Sequence, residues 1–261
     1  MFRSRPGRRG GRTAALLTAA TLMLTLGGCA MDTVTPQEAR AESGEDGKAG
    51  TETRRVDCAE VKCIALTFDA GPGKDTPHLL DILKEKQVPA TFFLLGRKHV
   101  DRYPKVVRRI ADEGHEVANH TWTHQILTDL DEAEVREELS RTQDAIEKIT
   151  GRKPVLMRPP QGRTDSTVGD VSRELGLAQI LWSITAKDYS TTDSGLIRER
   201  VLAQAHRDGI ILLHDIYDGT VPAVPEIIDE LRNRGYTFVT VPELLAPGTA
   251  RAGAVYRPEK D

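Results

Sequence analysis

Aromatic side chains and cysteine are scarce in this sequence. Its 261 residues hold two Trp, five Tyr, five Phe and three Cys. Three cysteines exclude a disulfide-dense scaffold and a four-thiolate zinc cluster. No dense patch of Lys or Arg is present, and 36 basic residues stand against 39 acidic ones. That balance argues against a nucleic-acid partner. No internal repeat is found. The long uncharged stretch, Thr13–Gly28, is too short to read as a spanning helix.

What is present begins with an unusual N-terminus. Met1–Arg12 carries five Arg and no acid, and the uncharged stretch that follows runs into Leu26-Gly27-Gly28-Cys29. A basic start, a short apolar run and small residues before a cut site describe a secretory signal. Cys29 after Leu-Gly-Gly resembles a bacterial lipobox, where the signal is cut before a cysteine that becomes lipidated. An ordinary cleavage site with an incidental Cys is the plainer alternative. On the lipobox reading, residues 1–28 are a lipoprotein signal peptide and Cys29 is the lipidation site. The protein then sits lipid-anchored on the extracellular face of the cell membrane. Setting aside residues 1–28 leaves 31 Lys and Arg against 39 Asp and Glu, a balance of −8.

Residues 29–57 are polar and aperiodic, and read as a flexible tether. A domain is expected over 58–248 and a polar tail over 249–261. Cys58 and Cys63, with four residues between them, read as a disulfide pinning the entry to the first strand. Half of a metal site is the alternative, but it lacks a second pair of thiols.

Within the domain, short apolar runs alternate with amphipathic stretches. Strands are expected at Cys63–Phe68, Ala90–Leu95, Glu116–Ala118, Val155–Met157, Gln179–Trp182, Ile210–Leu213 and Thr237–Val241. Helices are expected at Thr76–Lys86, Tyr103–Glu113, Asp131–Ile149, Thr167–Leu175, Ser194–His206 and Val224–Arg234. Glycines at 114, 151, 176 and 235 stand where helix C-caps belong. Seven strands with helices between them imply an α/β fold with a parallel sheet, closed or nearly closed as a barrel with outer helices. In such barrels chemistry gathers where strands end.

Polar and ionisable groups do gather there. The first strand delivers Asp69 into Ala70-Gly71-Pro72. His120-Thr121-Trp122-Thr123-His124 follows the third, and Arg158-Pro159-Pro160-Gln161-Gly162 the fourth. Asp188-Tyr189 comes after the fifth, and Leu212-Leu213-His214 closes the sixth. Asp69 reads as a metal ligand, a general base or a turn-capping residue. In a helical turn, His120 and His124 would share one face and could meet one ion. His214 reads either as a satisfied core histidine or as a catalytic one, and Arg158 suits fixing a carboxylate.

Taken together and in this order, the five motifs resemble the NodB-type polysaccharide deacetylases, carbohydrate esterase family four. The resemblance covers Lys62 to about Leu245. It implies an irregular (β/α)7 barrel and a hydrolase that removes N-acetyl groups from a GlcNAc-type polymer. It implies a divalent metal, zinc first and cobalt or manganese as alternatives, held by His120 and His124. By the same resemblance Asp69 is the general base and Arg158 orients it. His214 is the general acid and Asp188 tunes it. The Gln161 backbone N–H helps bind the oxyanion, Tyr189 walls the groove, and Leu212 lines the acetyl-methyl pocket. An enzyme outside the membrane meets peptidoglycan first; chitooligosaccharides and acetylxylan are alternatives. A monomer is expected.

One departure matters. The family carries a second Asp, its third metal ligand, where this chain has Ala70. A methyl group cannot coordinate a metal. A neighbouring group such as the Asn119 side chain could fill the gap, and a carbohydrate-binding pseudoenzyme becomes conceivable.

Overall fold

Ile64, Leu66 and Phe68 alternate with Cys63, Ala65, Thr67 and Asp69, and this alternation decides where the chemistry goes. Successive side chains of a strand point to opposite faces. In the computed structural model, residues 1–2, 33–42 and 56–259 are described. Cys29 and the signal segment beyond Phe2 lie outside them, and the fold below belongs to the unit Met31–Asp261. Strand β2 (Lys62–Gly71) is buried from Cys63 onward. Ile64, Leu66 and Phe68 pack with Leu79, Leu83, Ile110, Ile146 and Ile227 of the surrounding helices. Cys63 and Ala65 face the other way, against Phe93, Ala118, Leu156, Ile180, Ile210 and Val239. Asp69 shares the parity of this inner face.

Every strand pairing is parallel. Along its length β2 pairs with β9 (Tyr236–Val239), β8 (Gly209–Leu213) and β3 (Thr91–Leu94). Beyond β3 lie β4 (Glu116–Asn119), β5 (Leu156–Met157) and β6 (Ala178–Ile180); beyond β8 lies β7 (Ile184–Thr185). Because β9 joins β2 only at its beginning and β3 only at its end, the sheet curls into an incomplete barrel of the (β/α)7 kind. Its helices are α2 (Thr76–Lys86), α3 (Pro104–Asp112), α4 (Glu132–Thr150), α5 (Ser166–Glu174), α6 (Ser194–Gln204) and α7 (Thr220–Asn233). Gly151 ends α4 in the left-handed conformation, where a side chain would be strained.

All seven expected strands and six expected helices are present, with ends displaced by a few residues. Helix α7 starts earlier than expected because Pro222 falls in its first turn, where no N–H partner is needed. Strand β7 escaped the sequence reading because it is two residues long. So did α8 (Val241–Leu245), whose first residue was assigned to the last strand. Its capping box, Thr240 with Glu243, was legible.

Two segments correct the expected boundaries. Inside the expected tether, Thr33–Val34 forms β1, and Pro36–Ala41 forms α1 behind a capping box of Thr35 and Glu38. Arg40 bonds Asp208 Oδ2 at 2.6 Å and the Leu244 carbonyl at 2.9 Å. Inside the expected polar tail, Val255–Tyr256 forms β10, buried between β6 and β1. β10 covers the edge of β6, which would otherwise present unpaired backbone groups, and β1 in turn pairs with β10. Polar composition hid them, because two-residue strands carry almost no periodicity.

Candidate active site

The first motif is a strand that breaks where its acid must turn inward. Between Asp69 and Gly71 the register of β2 against β3 shifts, and Ala70 takes φ 63°. A bulge of this kind re-aims a side chain at a strand end. Gly71 has no room for a side chain, since a Cβ there would collide with the Asp215 carboxylate. Asp215 is fully buried, hydrogen-bonded to the Thr76 hydroxyl, and its burial raises its pKa to about 6. It clamps the turn from the end of β8. It was legible only as the Asp after His214.

Asp69 is 2% exposed and Arg158 fully buried. Arg158 Nη1 donates to Asp69 Oδ1 at 2.6 Å and to the Thr67 hydroxyl at 2.8 Å, while Nε donates to the Ile180 carbonyl at 2.9 Å. Its guanidinium centre lies 4.0 Å from the Phe93 ring centroid. A planar fork suits such a site better than an ammonium. Thr67 itself donates to the Ile211 carbonyl at 2.6 Å, tying the pair to β8.

On the other side of the mouth, His214 Nδ1 lies 2.9 Å from Asp188 Oδ1, and the His214 backbone N–H donates to Asp188 Oδ2 at 2.7 Å. A carboxylate accepts, so Nδ1 carries the proton. The Thr220 hydroxyl adds a third bond to Asp188 at 2.8 Å. Burial alone would lower the His214 pKa, but the Asp188 hydrogen bond and charge, with Asp69 adding, raise it above 6.5. Thr220 was missed in sequence; its signal is a threonine at the first position of the helix after the histidine.

His120 and His124 do not sit on a helical turn. The residues between β4 and the following loop bend, with Thr121 at φ 71° and His124 at φ 66°. Their rings lie 5.0 Å apart by centroid. The loop is held by Glu138 of α4, which accepts from the N–H groups of Trp122 and Thr123 at 3.0 and 2.8 Å and from the Thr123 hydroxyl at 2.6 Å. His120 Nδ1 lies 2.8 Å from the Arg158 carbonyl, which can only accept. Nδ1 is therefore protonated, and Nε2 keeps its lone pair, 3.8 Å from Asp69 Oδ2. Burial lowers the His120 pKa to about 4 against the opposing charge of Asp69, and burial lowers that of His124 as well. Two neutral imidazoles result, the form that binds divalent ions.

This donor set fits a divalent ion at two positions, His120 and His124. Among the described residues, no group of three or more His, Cys, Asp or Glu side chains is arranged to hold a metal. Asn119 does not fill the gap. It is fully buried, with Nδ2 donating to the Leu139 carbonyl and Oδ1 accepting from the Thr121 N–H, each at 2.8 Å.

A family described as polysaccharide deacetylase matches residues 57–180. A chitooligosaccharide deacetylase from Bradyrhizobium is 36% identical over 204 residues, covering 72% of this chain and 93% of the relative. The chain belongs to the polysaccharide deacetylase family. A peptidoglycan-N-acetylglucosamine deacetylase of Listeria monocytogenes is 40% identical over 184 residues, 70% of this chain. The chain spans about two fifths of that relative's length, 39%. The solved structure of T48 deacetylase with substrate superposes with TM-score 0.74 at 40% identity, covering 77% of this chain and 99% of that one.

The other residues of the sequence motifs also have defined places in this polysaccharide deacetylase fold. Leu212 is the penultimate residue of β8 and is buried. Gln161 is exposed and held at φ 58° between the Pro159-Pro160 pair and Gly162. Tyr189 is 57% exposed, its ring centroid 6.2 Å from that of His214. Cys58 and Cys63 form a disulfide at the opposite, entry end of β2.

Proposed function

We propose that this family member is a metal-dependent hydrolase that removes N-acetyl groups from a GlcNAc-type polysaccharide, peptidoglycan foremost. The observation that carries the reading is a pair of braced groups at one mouth. Asp69 is held by Arg158 and His214 by Asp188, and the charge of Asp69 reaches His120, His124 and His214 alike. The lipobox reading of Cys29 supports work at the outer face of the membrane, where peptidoglycan lies.

Hydrolysis of an acetamide needs an activated water, a stabilised oxyanion and a protonated leaving nitrogen. A divalent ion held by His120 and His124 would polarise the acetyl carbonyl and lower the pKa of water toward roughly 7. Zinc is the first choice for two imidazoles beside a carboxylate. Asp69 accepts the water proton, and Arg158 leaves its Oδ2 edge free to do so. The Gln161 N–H faces the charge that develops on oxygen, a contribution on the order of 3 kcal/mol. His214 gives its Nε2 proton to the departing amine, and Asp188 holds the ring for that transfer. Leu212 meets the acetyl methyl. Water is consumed, and acetate and a free amine are released.

Ala70 favours a second reading, a carbohydrate-binding protein without activity. Acetate release from peptidoglycan, N-acetylchitooligosaccharides and acetylxylan, with and without added zinc, cobalt or manganese, separates the two. The hydrolase reading expects metal-stimulated release that Asp69→Asn abolishes. Sugar binding with no acetate from any substrate under any metal supports the second.

A further inference from the structure

Two exposed rings frame His214, and sequence reasoning anticipated one of them. Among the described residues from 33 onward, Tyr189 and Tyr217 are the exposed aromatics, at 57% and 37%. Tyr217 lies in the connection from β8 to α7, its ring centroid 5.4 Å from that of His214. It is not a loose side chain on a loose loop. Its backbone N–H bonds the His214 carbonyl at 3.4 Å, and its carbonyl accepts from the Thr220 N–H at 3.1 Å. Thr220 in turn bonds Asp188. The ring is thus mounted on the network that holds the candidate general acid.

Both tyrosines line one open groove with Ser190, Thr191, Thr192 and Asp218. No Lys or Arg lines it. Asp218 is paired with Lys74 at 3.1 Å. Flat apolar rings flanked by hydroxyls and the Asp218 carboxylate, with buried Asp188 also in the lining, are the chemistry that recognises a pyranose. The C–H face of the sugar covers the ring, and its hydroxyls find acceptors at the rim. An anionic ligand would find no cation in the lining. Solvent-exposed rings set together beside a reactive group are otherwise an unfavourable surface.

We infer that Tyr217, with the Ser190–Thr192 rim, forms a subsite for a second sugar ring, next to the residue whose acetamide meets His214. This deepens the deacetylase reading and rests on it for the position of the first ring. The consequence is preference for oligomers over a monosaccharide.

The test uses the Asp69→Asn chain, which binds without turnover, and N-acetylchitotetraose in a calorimetric titration. Tyr217→Ala in that background is expected to weaken tetraose binding about tenfold or more, the scale of one aromatic contact. Tyr217→Phe is expected to hold affinity within about twofold, because the ring face supplies the contact. Melting temperatures confirm that each variant is folded. Unchanged tetraose affinity in Tyr217→Ala, or no tetraose binding before it is made, overturns the subsite. A ring that served only to hold His214 would shift the pH profile of the active chain and leave tetraose affinity alone. If tetraose binding depends on Tyr217 while the unsubstituted chain releases no acetate, the subsite stands and the deacetylase reading falls.

Discussion

Arg158 Nη1 reaches Asp69 Oδ1 at 2.6 Å in a place that water scarcely enters. Removing one partner of such a pair leaves the other charge buried and uncompensated, at a cost of about 3–5 kcal/mol. Arg158 also joins β2 to β6 through Thr67 and the Ile180 carbonyl. Arg158→Ala is therefore expected to lower stability by about that amount and to end acetate release. Arg158→Lys cannot span all three partners and should fall between. Asp69→Asn keeps the shape and an oxygen for Arg158 to bond but leaves that buried charge unpaired, so it should also lose stability, by less than Arg158→Ala, while cutting kcat by at least about 100-fold. Chemical denaturation and acetate release measure the two effects. A stable, active Arg158→Ala would refute the account.

The raised pKa of His214 fixes the sign of a pH effect. A general acid must enter protonated, so activity falls as pH rises through its pKa, which Asp188 holds above 6.5. Asp188→Asn removes the charge that outweighs burial. The alkaline limb of kcat/KM is then expected to move toward acid, with kcat near pH 7 lower by about 100-fold. A pH–rate profile of both chains decides it. An unmoved limb would reassign the acid.

Ala70 can be given back the family's carboxylate. Its φ of 63° is a region where Asp is more at home than Ala. Ala70→Asp is expected to tighten zinc binding by at least about tenfold, the scale on which supporting groups of a metal site act, without lowering the melting temperature. Equilibrium dialysis of zinc measures this without reference to activity. Equal affinity in the two chains would mean that position 70 does not reach the ion.

At the far end of the barrel, Arg40 meets Asp208, whose side chain is 1% exposed. Among the described residues Asp208 Oδ1 has no hydrogen-bond partner, and Arg207 Nε stands farther off at 3.9 Å, so the Arg40 pair is its main compensation. Arg40→Ala should cost about 3 kcal/mol and undock α1. The mouth lies at the opposite strand ends, so kcat should hold. A melting curve beside an acetate assay tests both halves of the statement.

Much of the mouth was legible because strands carry chemistry at their ends and the motifs are contiguous. Asp69, Arg158 and His214 each directly follow an apolar run, and Asp188 comes six positions after one that ends at Trp182. The spacing of His120 and His124 was legible too, but its cause was misread. A bent loop with two left-handed residues, anchored from α4 by Glu138, brings the rings together. Glu138, Thr220 and Asp215 escaped as functional supports because each acts on a motif from a distant element.

The sequence by itself determined the order of strands and helices, the parity that turns Asp69 inward, and the residue types at each strand end. Those are properties of local periodicity and of short motifs. Only the tertiary structure decided that Thr33–Val34 and Val255–Tyr256 belong neither to a tether nor to a tail but complete the sheet at β6. It alone decided that Asn119 is spent inside the core, and that Tyr217 stands beside His214. Each of these depends on partners far apart in the chain, and backbone pairing over such separations leaves no periodic trace in the residues themselves.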